Sequence, residues 1–282
     1  MLILAAIPLG NPGDASFNLK SAIQDVKYIA AEDSRKFSRL CSDLGVTHSA
    51  KIISFFEGNE IERLDELVKI MESGSDLLVV TDAGMPGISD PGYRLVRAAV
   101  EKDIQVKVLP GPSAVTTALL LSGLPSDRFC FEGFAPRTSG ARRSWFENLA
   151  DETRTIILFE APHRLPECLE DAMAIFGPNR LAAICREMTK TYEEVIRGDL
   201  ARLHNWAGTT EILGEITLVI AGFDPSSRQF SQADLISEVL NQEAAGISRK
   251  EAITEVARIT GSAKREVFDA MVAYKSQDRL EQ

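Results

Sequence analysis

Two carboxylates and a guanidinium stand next to each other in the stretch AAEDSR, residues 30–35. The stretch closes a short apolar run, Tyr28–Ala31, that is typical of a buried strand. Glu32 and Asp33 could orient a hydroxyl group and accept its proton, and the planar fork of Arg35 suits a phosphate. The plainer interpretation is a surface ion pair in which Asp33 caps the helix that follows. Taken alone, the stretch favours the plainer interpretation.

Loops rich in glycine and proline also follow apolar runs, and they are PLGNPGD (8–14), TDAGMPGISDPG (81–92) and LPGPSA (109–114). The first contains neither G-x-G-x-x-G nor G-K-[ST], so it predicts no cradle for a nucleotide phosphate. In the second, Asp82 could accept hydrogen bonds from a ribose or an amino group, and Gly84 would let a ligand approach the backbone. The plainer alternative is an ordinary turn in which Asp90 caps the next helix.

Apolar runs alternate with stretches of helical spacing in the first part of the chain, which predicts a largely parallel sheet with helices on its faces. After about Pro112 the runs come too close together for a helix between every pair, so a mixed sheet is expected. The predicted strands are Leu2–Ile7, Tyr28–Ala31, Ile52–Phe55, Leu77–Thr81 and Val106–Leu109, followed by Arg128–Phe134, Thr155–Phe159, Leu181–Cys185, Glu193–Arg197 and Ile216–Ala221. Ligands of such sheets bind at the carboxyl ends of the strands, where these loops fall.

The sequence therefore predicts an α/β protein of two lobes with a cleft between them, followed by a small helical module. The predicted divisions are 1–112 for the first lobe, 113–224 for the second lobe and 225–282 for the module. In the module, Ser231 and Ser248 each begin a capping box, and apolar stripes that include Ile259 and Val272 could form one small core. Packing or dimerisation and nucleic-acid recognition are equally compatible with these helices.

The composition limits the classes of function that the chain can serve. Hydrophobic residues make up 45% of the 282 residues, which is enough for a globular core. Four cysteines without a C-x-x-C pair and three scattered histidines predict that no metal is bound. A formal net charge of -10 disfavours unspecific coating of nucleic acid but is compatible with a local basic patch. Because neither a signal peptide nor a membrane-spanning run is recognisable, we expect a cytoplasmic protein.

Eight motifs follow one another along the chain: PLGNPGD, AAEDSR, TDAGMPGISDPG, LPGPSA, LPSDRFCFEGF, FEAPHRL, REMTKTYEEVIRG and GEITLVIAG. Together they closely resemble a family of small-subunit ribosomal RNA methyltransferases that belongs to the tetrapyrrole-methylase-like (class III) S-adenosylmethionine enzymes. The resemblance covers residues 2–222, and the helical tail is similar to the C-terminal domain of that family. It implies a two-lobed class III methyltransferase fold with the cofactor in the cleft.

The resemblance implies that the ligand is S-adenosylmethionine, which carries a sulfonium and an adenosine but no phosphate. The glycine turn at residues 8–14 is then expected to bring its backbone close to this ligand. The residues that the resemblance implies on the cofactor are Pro8, Leu9, Asp82, Gly84, Ile88, Ser113, Ala114, Phe159, Glu187, Glu215, Ile216 and Thr217. For the chemistry, Asp33 is favoured as the base for a ribose hydroxyl, Glu32 is the second choice, and Arg35 holds the adjacent phosphate.

The resemblance also implies the substrate and the assembly, namely 2'-O-methylation of a cytidine in the decoding region of small-subunit rRNA by a homodimer. From the residues themselves, Arg137, Arg142 and Arg143 form a local basic excess that either contacts RNA phosphates or belongs to a solvated loop. Two other functions stay open. One is methylation of tetrapyrroles on the same scaffold, which the helical tail and the AAEDSR stretch disfavour. The other is a non-catalytic RNA-binding factor of ribosome assembly that has kept a cofactor cleft.

Overall fold

The computed structural model describes residues 1–225 and 231–281, with side chains described as far as Tyr274. It divides the chain into two compact units, Met1–Ala221 and Gly222–Gln282. The first unit contains two sheets of five strands each, and the second contains three helices. The start of the predicted helical module, residues 226–230, lies outside the described residues.

The first sheet is built from β1 (Leu2–Ala5), β2 (Tyr28–Ala31), β3 (Lys51–Ser54), β4 (Leu77–Val80) and β5 (Val106–Leu109). All of its pairs are parallel, in the order β3-β2-β4-β1-β5, which confirms the prediction. Between the strands run α1 (Phe17–Asp25), α2 (Ser34–Leu44), α3 (Glu60–Glu72) and α4 (Tyr93–Glu101). Alternate residues of β1 belong to separate hydrophobic clusters on the two faces, so the central strands are buried on both sides.

The second sheet is built from β6 (Phe129–Phe134), β7 (Thr155–Glu160), β8 (Leu181–Arg186), β9 (Glu194–Asp199) and β10 (Ile216–Ile220). Its order is β6-β7-β10-β8-β9, with β6 and β7 parallel and the other pairs antiparallel, so the predicted mixed sheet is confirmed. The helices are α5 (Ala114–Ser122), α6 (Ser139–Glu147), α7 (Leu165–Phe176) and α8 (Leu200–Thr209). α5 packs on one face of the sheet, and the other three cover the opposite face.

The second unit consists of α9 (Gln232–Ala244), α10 (Arg249–Thr260) and α11 (Lys264–Glu281). Ser231 forms the predicted capping box, and Ser248 accepts a hydrogen bond from the amide three residues on. Seven buried residues, contributed by all three helices, form the core of this unit. Ile259 and Val272, which were predicted to lie in this core, are each 49% exposed, because Thr260 and Met271 occupy the inward positions beside them.

Among the described residues, no group of histidine, cysteine and acidic side chains is placed to hold a metal ion. None of the helices described combines the length and the apolar character that crossing a membrane requires. All four cysteines are buried thiols outside any disulfide.

Candidate active site

A cavity of about 340 Å³ lies in the first unit, where the loop ends of the two sheets come together. The first sheet contributes the loops after β2, β4 and β5, and the second contributes the ends of β6 and β7 and the start of β10. Ligands of parallel α/β sheets bind at this edge. The predicted cofactor residues that line the cavity are Leu9, Asp82, Gly84, Ile88, Ser113, Ala114, Phe159, Glu215, Ile216 and Thr217. Their contact with a ligand stays a prediction.

Pro8 and Glu187, also predicted on the cofactor, do not line the cavity. The Glu187 carboxylate accepts hydrogen bonds from Lys190 Nζ (2.8 Å) and from the amide of Glu215 (2.9 Å). A Cβ at Gly214 would overlap the Glu187 side chain, so only glycine fits there without a rearrangement. Glu187 therefore fixes the chain just before β10, whose first residues do line the cavity.

The glycine turn after β1 packs against the second half of the first unit. A Cβ at Gly10 would overlap Cγ of Lys190, and the amide of Asn11 donates to Oγ1 of Thr189 (3.2 Å). Gly10 thus lets the turn pack against the loop after β8. Of residues 8–14, all of which are described, Leu9 alone lines the cavity. The approach of this turn to a ligand stays a prediction, which Leu9 supports.

The end of β2 separates the two carboxylates of the AAEDSR stretch. Glu32 lines the cavity, whereas Asp33 and Arg35 do not. The Asp33 carboxylate caps α2 by accepting from the amides of Arg35 (2.8 Å) and Lys36 (3.4 Å), and it pairs with the Arg35 guanidinium (2.9 Å). The side-chain hydrogen bond from Arg35 lowers the pKa of Asp33 to about 2, which makes this carboxylate a very weak base. The geometry favours Glu32 over Asp33 as the base and shows the helix cap of the plainer interpretation; the identity of the base stays a prediction.

Reciprocal hydrogen bonds lock the ends of β2 and β4 together. The amide of Asp82 donates to Oε2 of Glu32 (3.0 Å), and the amide of Asp33 donates to Oδ1 of Asp82 (3.1 Å). Lys36 Nζ donates to Oδ2 of Asp82 (2.7 Å). Burial raises the pKa of Glu32 against the opposing effect of the hydrogen bond from the Asp82 amide. Glu32 is therefore a stronger base than an exposed carboxylate, and it lies in the cavity wall.

Lys36 and Asp90 also line the cavity and were missed as site residues. Lys36 lies in the first turn of α2, three residues after the N-cap Asp33, so its nearness to the end of β2 was the available signal. Asp90 was interpreted as a helix cap, but the residue at the N-cap of α4 is Gly92. Burial, followed by repulsion from three nearby carboxylates, raises the pKa of Asp90 to about 7. Such a shift within a cleft is typical of functional groups.

The second sheet adds apolar side chains to the cavity wall. Phe159 packs edge-on against Phe131, with 4.8 Å between ring centroids, and against Phe134, with 5.6 Å. Phe134 lines the cavity without having been predicted to do so, and Met188 lines it as well. Glu160, at the end of β7, also lines it, but its carboxylate pairs with Arg164 Nε (2.7 Å). The cavity therefore combines acidic groups, which come mainly from the first sheet, with aromatic rings from the second.

The three arginines predicted to contact RNA differ in their surroundings. Arg142 is fully buried, and its guanidinium lies 2.7 Å from the carboxylate of Asp171. A buried guanidinium cannot reach a phosphate in solution, so the prediction that Arg142 contacts RNA is wrong. Arg143 also pairs with Asp171 (2.6 Å), but its side chain is 48% exposed. Arg137 is exposed as well, and RNA contact by these two stays a prediction.

Comparison with known proteins agrees with this architecture. The sequence profile of the Tetrapyrrole (Corrin/Porphyrin) Methylases matches residues 1–204. Ribosomal RNA small subunit methyltransferase I of Mycobacterium tuberculosis is 48% identical over 96% of this chain and 94% of its own length. The protein of the same name from Halalkalibacterium halodurans is 38% identical over 95% of this chain and 93% of its own length.

Solved structures show the same fold at low sequence identity. Uroporphyrin-III C-methyltransferase of Thermus thermophilus has a TM-score of 0.54 and 16% identity, over 78% of this chain and 93% of its own. Diphthine synthase has a TM-score of 0.57 and 17% identity, over 78% of this chain and 90% of its own. The fold is thus the two-lobed class III methyltransferase fold, with the acidic and aromatic cavity at its loop edge. The chain belongs to the ribosomal RNA small subunit methyltransferase I family of the tetrapyrrole methylases.

Proposed function

We propose that this chain transfers a methyl group from S-adenosylmethionine to the 2'-hydroxyl of a cytidine in the decoding region of small-subunit rRNA. The observation that carries the proposal is the 48% identity, over 96% of the chain, to a protein named for methylating small-subunit rRNA. The choice of a cytidine and of its 2'-hydroxyl rests on the family resemblance of the eight motifs.

The cavity fits a cationic donor that lacks phosphate. Five carboxylates line it (Glu32, Asp82, Asp90, Glu160 and Glu215). Asp82, Glu160 and Glu215 are paired with Lys36, Arg164 and Lys190, whereas Glu32 and Asp90 form no ion pair among the described residues. The field of such a wall favours a cation. A phosphate cradle would lie at the turn after β1. There, Gly10 packs against the side chain of Lys190 instead. The volume of about 340 Å³ falls within the range of small-molecule sites.

When bound, S-adenosylmethionine supplies an electrophilic methyl group on a sulfonium. Leu9, Ile88 and Phe159 would hold the adenosine through apolar contact, since all three line the cavity. Asp82 would accept hydrogen bonds from a hydroxyl or an ammonium of the donor. Ser113 occupies the N-cap position of α5 without making a capping hydrogen bond, so its hydroxyl is not committed to the helix.

The chain must aim the ribose hydroxyl and take up its proton, because a hydroxyl is a weak nucleophile. Glu32 suits this role better than Asp33, since it lines the cavity and burial raises its pKa. We therefore assign the base to Glu32. Arg35 has a side chain that is 90% exposed, so its guanidinium can reach the phosphate beside the target ribose.

The remaining RNA contacts are assigned to the segment after β6. Phe134, the last residue of β6, lines the cavity, and Arg137 follows three residues later on the surface. Arg143 lies on α6 with about half of its side chain exposed. Both side chains are exposed enough to contact phosphates. On the family resemblance, we also propose that the protein is a cytoplasmic homodimer that acts on the small ribosomal subunit or its rRNA.

The test is transfer of tritium from labelled S-adenosylmethionine to small ribosomal subunits that lack the modification, with large subunits as the control. A 2'-O-methyl group blocks alkaline cleavage at its own linkage, because cleavage needs the adjacent hydroxyl. We expect the label in an alkali-resistant dinucleotide that begins with cytidine. Label in alkali-labile nucleotides, or transfer to a tetrapyrrole and not to the subunits, would contradict the proposal.

A further inference from the structure

The loop between β4 and α4, residues 81–92, is held firmly where it carries Asp90 into the cavity wall. The amide of Gly92 donates to Oε1 of Glu60 (3.0 Å), a carboxylate that is itself buried. Ser89 has a φ of 58°, a left-handed conformation that residues other than glycine rarely adopt. The fold thus fixes the backbone on both sides of Asp90, and its carboxylate cannot move far from the neighbouring charges.

The charged groups that face Asp90 come from the ends of both sheets, and they are Glu32 after β2, Lys36 in α2, Asp82 after β4 and Glu215 before β10. Lys36 Nζ is engaged with Asp82 at 2.7 Å, and Glu215 pairs with Lys190 at 3.0 Å. Asp90 forms no ion pair with any basic side chain that the structure describes. The hydroxyl of Thr81, at the start of the same loop, donates to the carbonyl oxygen of Ala83 (3.2 Å).

This environment raises the pKa of Asp90 to about 7, which favours its protonated form more than that of an exposed carboxyl group. Burial comes first among the causes that raise the pKa of Asp90 to about 7, and the charges of Glu32, Asp82 and Glu215 follow. A cation in the cavity offsets both causes, because it compensates for lost hydration and opposes the repulsion. A neutral ligand of the same shape does neither. Binding of a cation, but not of a neutral analogue, must therefore favour the ionised form.

We propose that Asp90 is the carboxylate that balances the positive charge of the methyl donor and that it releases a proton to solvent as the donor binds. The inference rests on the proposed function in taking S-adenosylmethionine as the ligand. In this step the O–H bond of the Asp90 carboxyl group breaks, the carboxylate keeps the electron pair, and the buffer takes up the proton. After methyl transfer the sulfonium charge is gone, so Asp90 regains a proton and the chain holds the neutral product less tightly than the donor.

Glu32 is less suited to this role although it lies in the same wall. Its carboxylate already accepts a hydrogen bond from the amide of Asp82, and the Lys36 ammonium also favours its charged form. Asp90 has neither of these supports. Of the two carboxylates, Asp90 therefore gains more from an incoming cation.

Calorimetry in two buffers of different ionisation enthalpy, phosphate and Tris, counts the protons released on binding. At neutral pH we expect about half a proton per S-adenosylmethionine bound, and markedly fewer per S-adenosylhomocysteine, which lacks the sulfonium charge. The protonated carboxyl must lose its proton, so the affinity for the donor rises with pH and levels off above the pKa. The ratio of the affinity for the donor to the affinity for the product should increase by up to about tenfold between about pH 6 and about pH 8.

The variant Asp90→Asn should bind both ligands with no proton release and with a preference that does not change with pH. Asp90→Glu should restore the release. Glu215→Gln removes one repelling charge but keeps Asp90, so the release at neutral pH should become smaller without vanishing. Donor binding without proton release in the wild type, or unchanged release in Asp90→Asn, would overturn the inference and leave the proposed function standing. A folded wild type that binds neither ligand would overturn both.

Discussion

Two acidic sites in the first unit differ in how far the charge of their carboxylates is compensated by basic groups. Asp171, on α7, is only 2% exposed, and Ser139 Oγ (2.8 Å), Arg142 Nε (2.8 Å) and Arg143 Nε (2.6 Å) all donate to its carboxylate. Asp90 is half-buried in the cavity wall among three other carboxylates, and its pKa is raised to about 7. One site is neutralised from within the chain, and the other is left with an excess of negative charge.

This difference in charge compensation distinguishes a cluster that holds two helices together from a cavity that can receive a ligand. The Asp171 cluster joins α6 to α7, and the charge of its carboxylate is already compensated, so this carboxylate offers little to a cationic ligand. The cavity keeps its carboxylates close together because β2 and β4 end side by side in the parallel sheet. An uncompensated charge in a cleft lowers the stability of the empty protein and raises the affinity for a ligand of opposite charge.

Substituting Glu32 should have the largest effect on activity. Glu32→Gln keeps the size of the side chain but removes the base, so the single-turnover methylation rate should fall by about 10²–10⁴-fold. Asp33→Asn is the matched control, because asparagine also caps a helix well and the rate should change little. A greater loss in Asp33→Asn than in Glu32→Gln would return the role of base to Asp33.

Substituting Arg142 should have the largest effect on stability. Arg142→Met leaves the buried Asp171 carboxylate with the half-exposed Arg143 as its only cationic partner among those described, and we expect a loss of about 3–5 kcal/mol in the free energy of unfolding. Urea denaturation measures this. The control Arg143→Met removes a half-exposed group and should cost about 1 kcal/mol or less. Equal losses in the two variants would contradict the assignment of Arg142 as the structural member.

The contrast between these arginines shows what the sequence could not predict. Arg142 and Arg143 adjoin in a basic stretch, yet one is buried and the other is half-exposed. The acid that decides between them, Asp171, lies 29 residues after Arg142 on a different helix. Arg142 does share the inward face of α6 with Phe146, one turn later, and this spacing was a usable signal.

The strands were predictable to within about two residues at each end because they depend on local periodicity and on turn residues. Tyr28–Ala31 and Val106–Leu109 are strands with the predicted bounds, and the loops after them supply cavity residues. The direction of each side chain was not predictable, since it depends on partners far along the chain. Thus the Asp33 carboxylate accepts hydrogen bonds from amides of the helix that follows it, and Gly10 packs against Lys190 in the loop after β8.

Removing the Asp90 charge should stabilise the empty protein at high pH. Its pKa is raised from 3.8 to about 7 on folding, so the native state holds a proton that the unfolded state has lost, and stability falls as pH rises between these values. Asp90→Asn abolishes that loss. We expect the gain in Tm, about 2–4 °C per kcal/mol recovered, to be larger near pH 8 than near pH 5. A gain that does not depend on pH would mean that Asp90 carries no raised pKa.

Substituting Arg137 should have the smallest effect. Arg137→Ala removes one exposed guanidinium near the cavity, so RNA binding should weaken modestly and its salt dependence should become shallower. The slope of log affinity against log salt should fall by about 0.7–0.9 for one lost phosphate contact. Donor affinity, measured in parallel, should not change. An unaltered slope would remove the segment after β6 from the RNA contacts.

The most direct test of the central claim is amide hydrogen exchange with and without S-adenosylmethionine. If the uncompensated cavity binds the donor, protection should appear in residues 82–92, 113–115 and 214–217, which line it or carry its loops. Residues 136–143 and the surroundings of Asp171 should exchange at the same rate in both samples. Donor binding without protection of residues 82–92, or with protection centred on the Asp171 cluster, would contradict the account.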